Sequence, residues 1–171
     1  DLMSKGKSTA FYGIFLALAL VTGYVEQCIP INLGIPGVKL GLANIVTMVL
    51  LYVVGVRTAA GITVVRILLS GILFGTGFSI VYSMAGAVLS ILVMTVLKST
   101  KKFSYISVSV AGGVFHNVGQ IFVAVLVLET STLIYYLPIL VLSGLGAGIV
   151  IGILSGFLMR RLTPVIRQTW G

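Results

Sequence analysis

Residues 35–44 read Ile-Pro-Gly-Val-Lys-Leu-Gly-Leu-Ala-Asn, a turn-rich stretch between two apolar runs. Pro36 and Gly37 punctuate the chain, and Lys39 brings a cation to the turn. Leu40 begins the next hydrophobic run, with Asn44 one turn inside it. A helix start here offers free backbone N–H groups and the positive end of the helix dipole, which suits an anion. The alternative is an ordinary loop with a lysine at a membrane surface.

The composition is that of a membrane protein. The 171 residues are 58% hydrophobic and only 8% charged, whereas about a quarter of the residues in a soluble domain are charged. At about 20 apolar residues per spanning helix, this length admits six helices with short loops and no second domain. We therefore expect residues 1–171 to form a single transmembrane domain.

The apolar runs predict six helices, at about 8–27, 40–54, 58–73, 78–97, 104–128 and 133–159. When these helices cross the bilayer alternately, one side receives Lys39, Glu26 and Glu129. The opposite side receives a larger set of cations: Lys5, Lys7, Arg57, Lys98, Lys101, Lys102, Arg160, Arg161 and Arg167. This asymmetry predicts an all-α integral membrane protein with both termini in the cytoplasm.

The formal net charge of +8 does not indicate a nucleic-acid partner, because the cations lie in clumps between apolar runs. The single cysteine, Cys28, excludes an internal disulfide and a cysteine-based metal cage. The sequence has no P-loop lysine motif, and its three acidic residues include no pair suited to a Mg²⁺–diphosphate site. We expect neither an enzyme nor a cofactor-binding protein.

Arg66 is the sharpest functional signal. It follows Arg57 by nine residues, which is about 14 Å along a helix and therefore near the bilayer midplane. A charge there costs at least about 2.5 kcal/mol. Glu26 and Glu129 are both expected near the outer surface, so no acid is expected to neutralise Arg66. It requires an anionic ligand, or a water cavity or backbone carbonyls in the alternative interpretation.

A polar cluster in the fifth predicted helix is the second signal. His116 and Gln120 are one turn apart on one face, and Asn117 lies beside them. Exposing such polar side chains to lipid costs free energy, so they should point into the bundle as core residues or as ligand contacts. One histidine without a nearby carboxylate or thiolate does not make a metal site.

These signals combine into one hypothesis, a pocket in the outer half of the membrane. Aromatic walls would come from residues such as Tyr24, Phe74, Tyr82 and Phe122. The composition suits a flat or lipid-like molecule that carries a carboxylate or a phosphate. The predicted ligand-binding residues are Lys39, Asn44, Arg66, His116, Asn117 and Gln120.

Small residues at a spacing of four indicate close helix packing in two places. The first predicted helix carries Gly13 with Ala17, and Ala19 with Gly23. These faces can pack within the bundle or against another subunit. The sixth carries a ladder of Gly144, Gly148, Gly152 and Gly156, which either packs internally or docks a partner.

Several stretches together resemble one family, the Gx transporters, which are also labelled heptaprenyl diphosphate synthase component I. They are 36–44, Arg66 to Leu69 leading to Gly75, Tyr82 through Gly86 and Ser90 to Met94, and 116–120. That family is similar in size and topology to the substrate-binding S components of energy-coupling factor (ECF) transporters.

The resemblance implies a six-helix bundle in the bacterial plasma membrane that captures a small molecule from outside. Its partners would be an ECF-type transmembrane coupling subunit and a pair of ATPases. Gly13 and Ala17 match the small residues with which S components contact the coupling subunit. The synthase label implies instead a non-catalytic partner of a prenyl transferase in menaquinone side-chain synthesis. A membrane subunit of a flavin-based electron-transfer system is a third possibility, for which the sequence has no cofactor motif.

Overall fold

The fold is a bundle of α-helices. A computed structural model describes residues 2–28 and 41–170, and every regular element in those ranges is helical. The six α-helices are α1 Leu2–Cys28, α2 Leu42–Val53, α3 Val56–Phe74, α4 Gly77–Ser99, α5 Tyr105–Leu128 and α6 Leu137–Trp170. A short 3-10 helix, Ser131–Tyr136, precedes α6. The prediction of an all-α, six-helix chain is confirmed.

Five of these helices, all except α2, are long and apolar enough to cross a membrane. The α2 helix has 12 residues, or about 18 Å at the standard helical rise, against about 30 Å of hydrocarbon in a bilayer. The predicted sixth span and the cytoplasmic placement of both termini therefore stay predictions.

The short α2 helix lies at the centre of the bundle. Met48, Val49, Leu50 and Leu51 are all at most 2% exposed, and α2 packs against α1, α3 and α6. A helix that is apolar on every face is stable where neighbours cover all of it. The hydroxyls of Thr47 on α2 and Thr63 on α3 form a hydrogen bond of 2.9 Å. This bond allows both polar side chains to be buried in the core.

Glycines allow α5 and α6 to approach closely. A Cβ atom on Gly144 would lie 2.8 Å from the carbonyl oxygen of Gly113, and one on Gly148 would lie 2.5 Å from the Cα of Val110. A Cβ on Gly152 would likewise lie 2.7 Å from the Cα of Ile106. Side chains at these positions would collide with the α5 backbone. Three of the four glycines of the ladder therefore pack against α5 inside the bundle.

The α6 helix extends well beyond the predicted end at residue 159. Met159 and Ile166, two turns apart, are both buried, so packing continues on one face after the two arginines. Pro164 lies within the helix, where its ring removes one backbone hydrogen bond. Nearby, the Thr163 hydroxyl donates to the carbonyl of Met159 at 2.6 Å. Burial against other helices therefore stabilises α6 beyond residue 159, where the sequence predicted that the helix would end.

The exterior of the bundle is strongly apolar. Ile72, Phe122, Leu142 and Phe157 are 64–73% exposed and lie on three different helices, α3, α5 and α6. A soluble monomer rarely exposes apolar side chains so widely, whereas lipid covers them at no cost. The long apolar helices and this surface together indicate a multi-pass membrane protein.

Candidate functional site

A cavity of about 330 Å³ lies at one end of the bundle. It is located where α1 and α3 end and where α2 and α4 begin, and α5 and α6 contribute further walls. The α2 helix begins after Gly41, whose φ of 71° is a left-handed conformation that glycine adopts without strain. All six α-helices therefore contribute to one site.

Five of the six predicted ligand-binding residues line this cavity, although they come from three separate helices. Lys39 is the sixth, and it lies outside the described residues. That these side chains bind a ligand stays a prediction. The five that the structure brings together are Asn44, Arg66, His116, Asn117 and Gln120.

The expectation that Arg66 has no acidic neighbour is wrong. Glu26 lies near the end of α1 and lines the same cavity, and its carboxylate interacts electrostatically with the Arg66 guanidinium. The Nε atom of Arg66 is buried and has no hydrogen-bond partner among the residues that the structure describes. The guanidinium thus has a counter-charge across the cavity, while its Nε–H is left for another acceptor.

The carboxylate of Glu26 also contacts the N-terminal end of α2. Its Oε1 atom accepts a hydrogen bond from the backbone N–H of Gly41. A negative charge is favourable there because of the helix dipole. The sequence predicted an anion at this helix start, and in the structure the chain's own Glu26 supplies one.

The polar side chains of α5 face inward as predicted. Asn117 donates from Nδ2 to the carbonyl of Leu140 on α6 at 2.6 Å, and Gln120 is only 7% exposed. A Cβ on Gly86 of α4 would lie 2.8 Å from Cγ of Gln120 and 3.0 Å from Cε1 of His116. The glycine therefore makes room for both side chains beside the cavity.

Three serines of the cavity were missed from the sequence: Ser70, Ser79 and Ser83. A signal was available for Ser70, since it follows Arg66 by one helical turn and shares its face. Ser79 forms a capping box with Thr76 at the start of α4, where its hydroxyl donates to the Thr76 carbonyl at 2.7 Å. The three serine hydroxyls add hydrogen-bonding groups to the cavity that Glu26 and Arg66 also line.

The predicted aromatic walls are only partly correct. Phe74 lines the cavity, and Tyr24 packs on it with ring centroids 5.3 Å apart. Tyr82 stacks on Phe78 at 5.8 Å, and neither it nor Tyr24 is among the lining residues. Phe122 is 65% exposed and faces outward, because its position on α5 lies away from the neighbouring helices.

A second, apolar groove of about 540 Å³ runs between α1 and α3. Gly13 and Gly61 form part of it, and neither has another atom within 4 Å of the place where a Cβ would be. Arg57 and Thr9 also line it, which places it toward the start of both helices and away from the cavity. Ala17 is exposed on α1. A docking role for Gly13 and Ala17 stays a prediction.

A family model described as heptaprenyl diphosphate synthase component I matches residues 15–158 of this chain. The matched region includes every predicted ligand-binding residue that the structure describes. No curated protein and no solved structure gives a significant match.

Proposed function

The chain belongs to the heptaprenyl diphosphate synthase component I family, and we propose that it is a membrane-embedded substrate-binding subunit, similar to an ECF S component. In this proposal it captures a small anionic or amphipathic organic molecule for uptake, and partner ATPases supply the energy. The chain itself has no catalytic role.

The observation that carries this proposal is the convergence of polar side chains in an otherwise apolar bundle. Asn44, Arg66 and Gln120 come from three helices and line one cavity of about 330 Å³. Polar and charged groups at membrane depth are expensive and mark substrate sites. The volume lies at the low end of the range for small-molecule pockets, about 300–1,000 Å³.

The positions of the cavity and the groove also support a transport subunit. If the cation-rich side is cytoplasmic, as the positive-inside rule predicts, the cavity faces outward and the groove lies toward the cytoplasm. A ligand could then enter from outside while a coupling subunit contacts the opposite half of α1. In this proposal Gly13 and Ala17 belong to that contact, because both are exposed small residues that allow close helix approach.

The proposal is tested by gentle-detergent purification of the protein from its native membrane, with mass spectrometry of its protein partners. Recovery of a transmembrane coupling subunit and ATPases supports a transport subunit of the bacterial plasma membrane. Whole-cell uptake that saturates with substrate and requires this chain would be the functional counterpart. Recovery of neither partner contradicts the proposal.

The family description favours a second candidate, a non-catalytic membrane component of heptaprenyl diphosphate and menaquinone synthesis. In that case the same purification recovers a soluble prenyl transferase without ATPases. The transferase activity would then fall when this chain is removed and return when it is added back. Unchanged transferase activity would exclude the second candidate.

A further inference from the structure

Two side chains of opposite charge, one carboxylate and one guanidinium, are among the described residues that line the cavity. Glu26 and Arg66 are the charged side chains among its described lining residues. Oε1 of Glu26 accepts the Gly41 N–H, while Oε2 has no hydrogen bond from any residue that the structure describes. The Nε atom of Arg66 also lacks a partner. Both residues line the cavity, and each thus has hydrogen-bonding capacity that no described residue uses.

The two charges interact electrostatically across the cavity, and no direct ion pair joins them within the described ranges. A charge in a low-dielectric site is costly unless a partner neutralises it and satisfies its hydrogen bonds. Because Glu26 and Arg66 line the same cavity, a ligand bound there can contact both of them.

Charge balance selects among ligand classes. An anion at Arg66 would add a negative charge near Glu26, and a cation at Glu26 would add a positive charge near Arg66. A neutral molecule would leave each group with only the other as its ionic partner. A molecule with both charges offers each group an ionic partner and adds no net charge to the site.

We propose that the cavity binds a compact zwitterion, with an ammonium group at Oε2 of Glu26 and an acid group at the Arg66 guanidinium. The serines at 70, 79 and 83 would hydrogen-bond polar groups on the body of the molecule. This inference rests on the proposed function and specifies its small organic ligand as an amino-acid-like compound.

The test uses detergent-purified protein and three compounds of one skeleton, L-phenylalanine, N-acetyl-L-phenylalanine and L-phenylalaninamide. For each of the other common amino acids, the panel likewise contains the free amino acid, its N-acetyl derivative and its amide. Glu26→Gln is a matched variant, because its amide oxygen still accepts the Gly41 N–H while the charge is lost. Arg66→Gln removes the opposite charge. Ligand-induced thermal stabilisation is measured for all three proteins.

The amino acid that stabilises the natural protein should act at about tenfold lower concentration than either of its derivatives, which corresponds to about 1.4 kcal/mol for one charge pair. Glu26→Gln should abolish the preference over the N-acetyl acid. Arg66→Gln should abolish the preference over the amide.

The inference is overturned if the N-acetyl acid binds the natural protein as well as the zwitterion does, or if Glu26→Gln leaves the preference unchanged. It is also overturned if no amino acid in the panel stabilises the protein. Recovery of ATPase partners in that last case would leave the proposed function standing, whereas their absence as well would remove both.

Discussion

The Oε1 atom of Glu26, near the end of α1, accepts a hydrogen bond from the backbone N–H of Gly41, immediately before α2 begins. These residues are 15 positions apart, so the bond joins two helices across the chain segment between them. It places a carboxylate at the positive end of the α2 dipole. The same carboxylate also faces Arg66 across the cavity, which links the start of the central helix to the candidate site.

Glu26→Ala should lower the free energy of unfolding by about 1 kcal/mol, because it removes a charged acceptor at a helix start. Glu26→Gln keeps an acceptor oxygen and should lose less. Thermal unfolding in detergent, without added ligand, compares the two variants. Equal losses for both would show that the Gly41 bond does not stabilise α2.

We expect the natural protein to retain its small-molecule ligand through purification, and Arg66→Ala should abolish this retention while the bundle still forms. The reason is that Arg66 is the cation among the described residues of the cavity and its Nε makes no hydrogen bond that the fold would lose. Mass spectrometry of extracts from the purified protein measures retention. Arg160→Ala is the control, since Arg160 is exposed on α6 and does not line the cavity. Unchanged retention in Arg66→Ala would contradict the site.

Gly144→Leu should destabilise the bundle by about 1–3 kcal/mol, because overpacking forces two backbones apart. The added side chain would begin 2.8 Å from the carbonyl oxygen of Gly113. Gly146→Leu lies on the same helix with nothing within 4 Å of its Cβ position, so it should leave the melting temperature nearly unchanged. If both variants melt alike, α5 and α6 do not pack as described.

Gly13→Leu should prevent recovery of the coupling subunit and leave ligand retention intact. The substitution places a side chain in the groove between α1 and α3, at a position where an added Cβ atom has open space around it. Co-purification from native membranes measures the effect, with Gly146→Leu as the matched control on another open helix face. Partner recovery equal to that of the natural protein would place the docking surface elsewhere.

Lys98→Met should destabilise the protein by about 1 kcal/mol, because its ammonium donates to the backbone at the end of α2. Nζ of Lys98 bonds to the carbonyl of Leu51 and lies 5.1 Å from the ring centroid of Tyr52. Lys102→Met is the control, since Lys102 is exposed on the following loop. Thermal unfolding should separate the two variants, and identical curves would argue against a role for Lys98 in holding α2.

The sequence alone determined the class of protein, the number of helices and five of the polar residues that line the candidate site. Apolar runs and their interruptions are local properties, and the cost of polar groups in lipid forces residues such as Arg66 and Gln120 inward whatever the packing. This is why five predicted residues from α2, α3 and α5 line one cavity.

Only the tertiary structure decided which groups meet. The distance between Glu26 and Arg66 depends on how α1 and α3 pack, and no pattern within either helix encodes it. The burial of α2 on every side and the extension of α6 past Pro164 likewise follow from contacts with other helices. Local sequence sets what each segment prefers, whereas interhelical packing sets which charges face each other, and the candidate ligand chemistry depends on the latter.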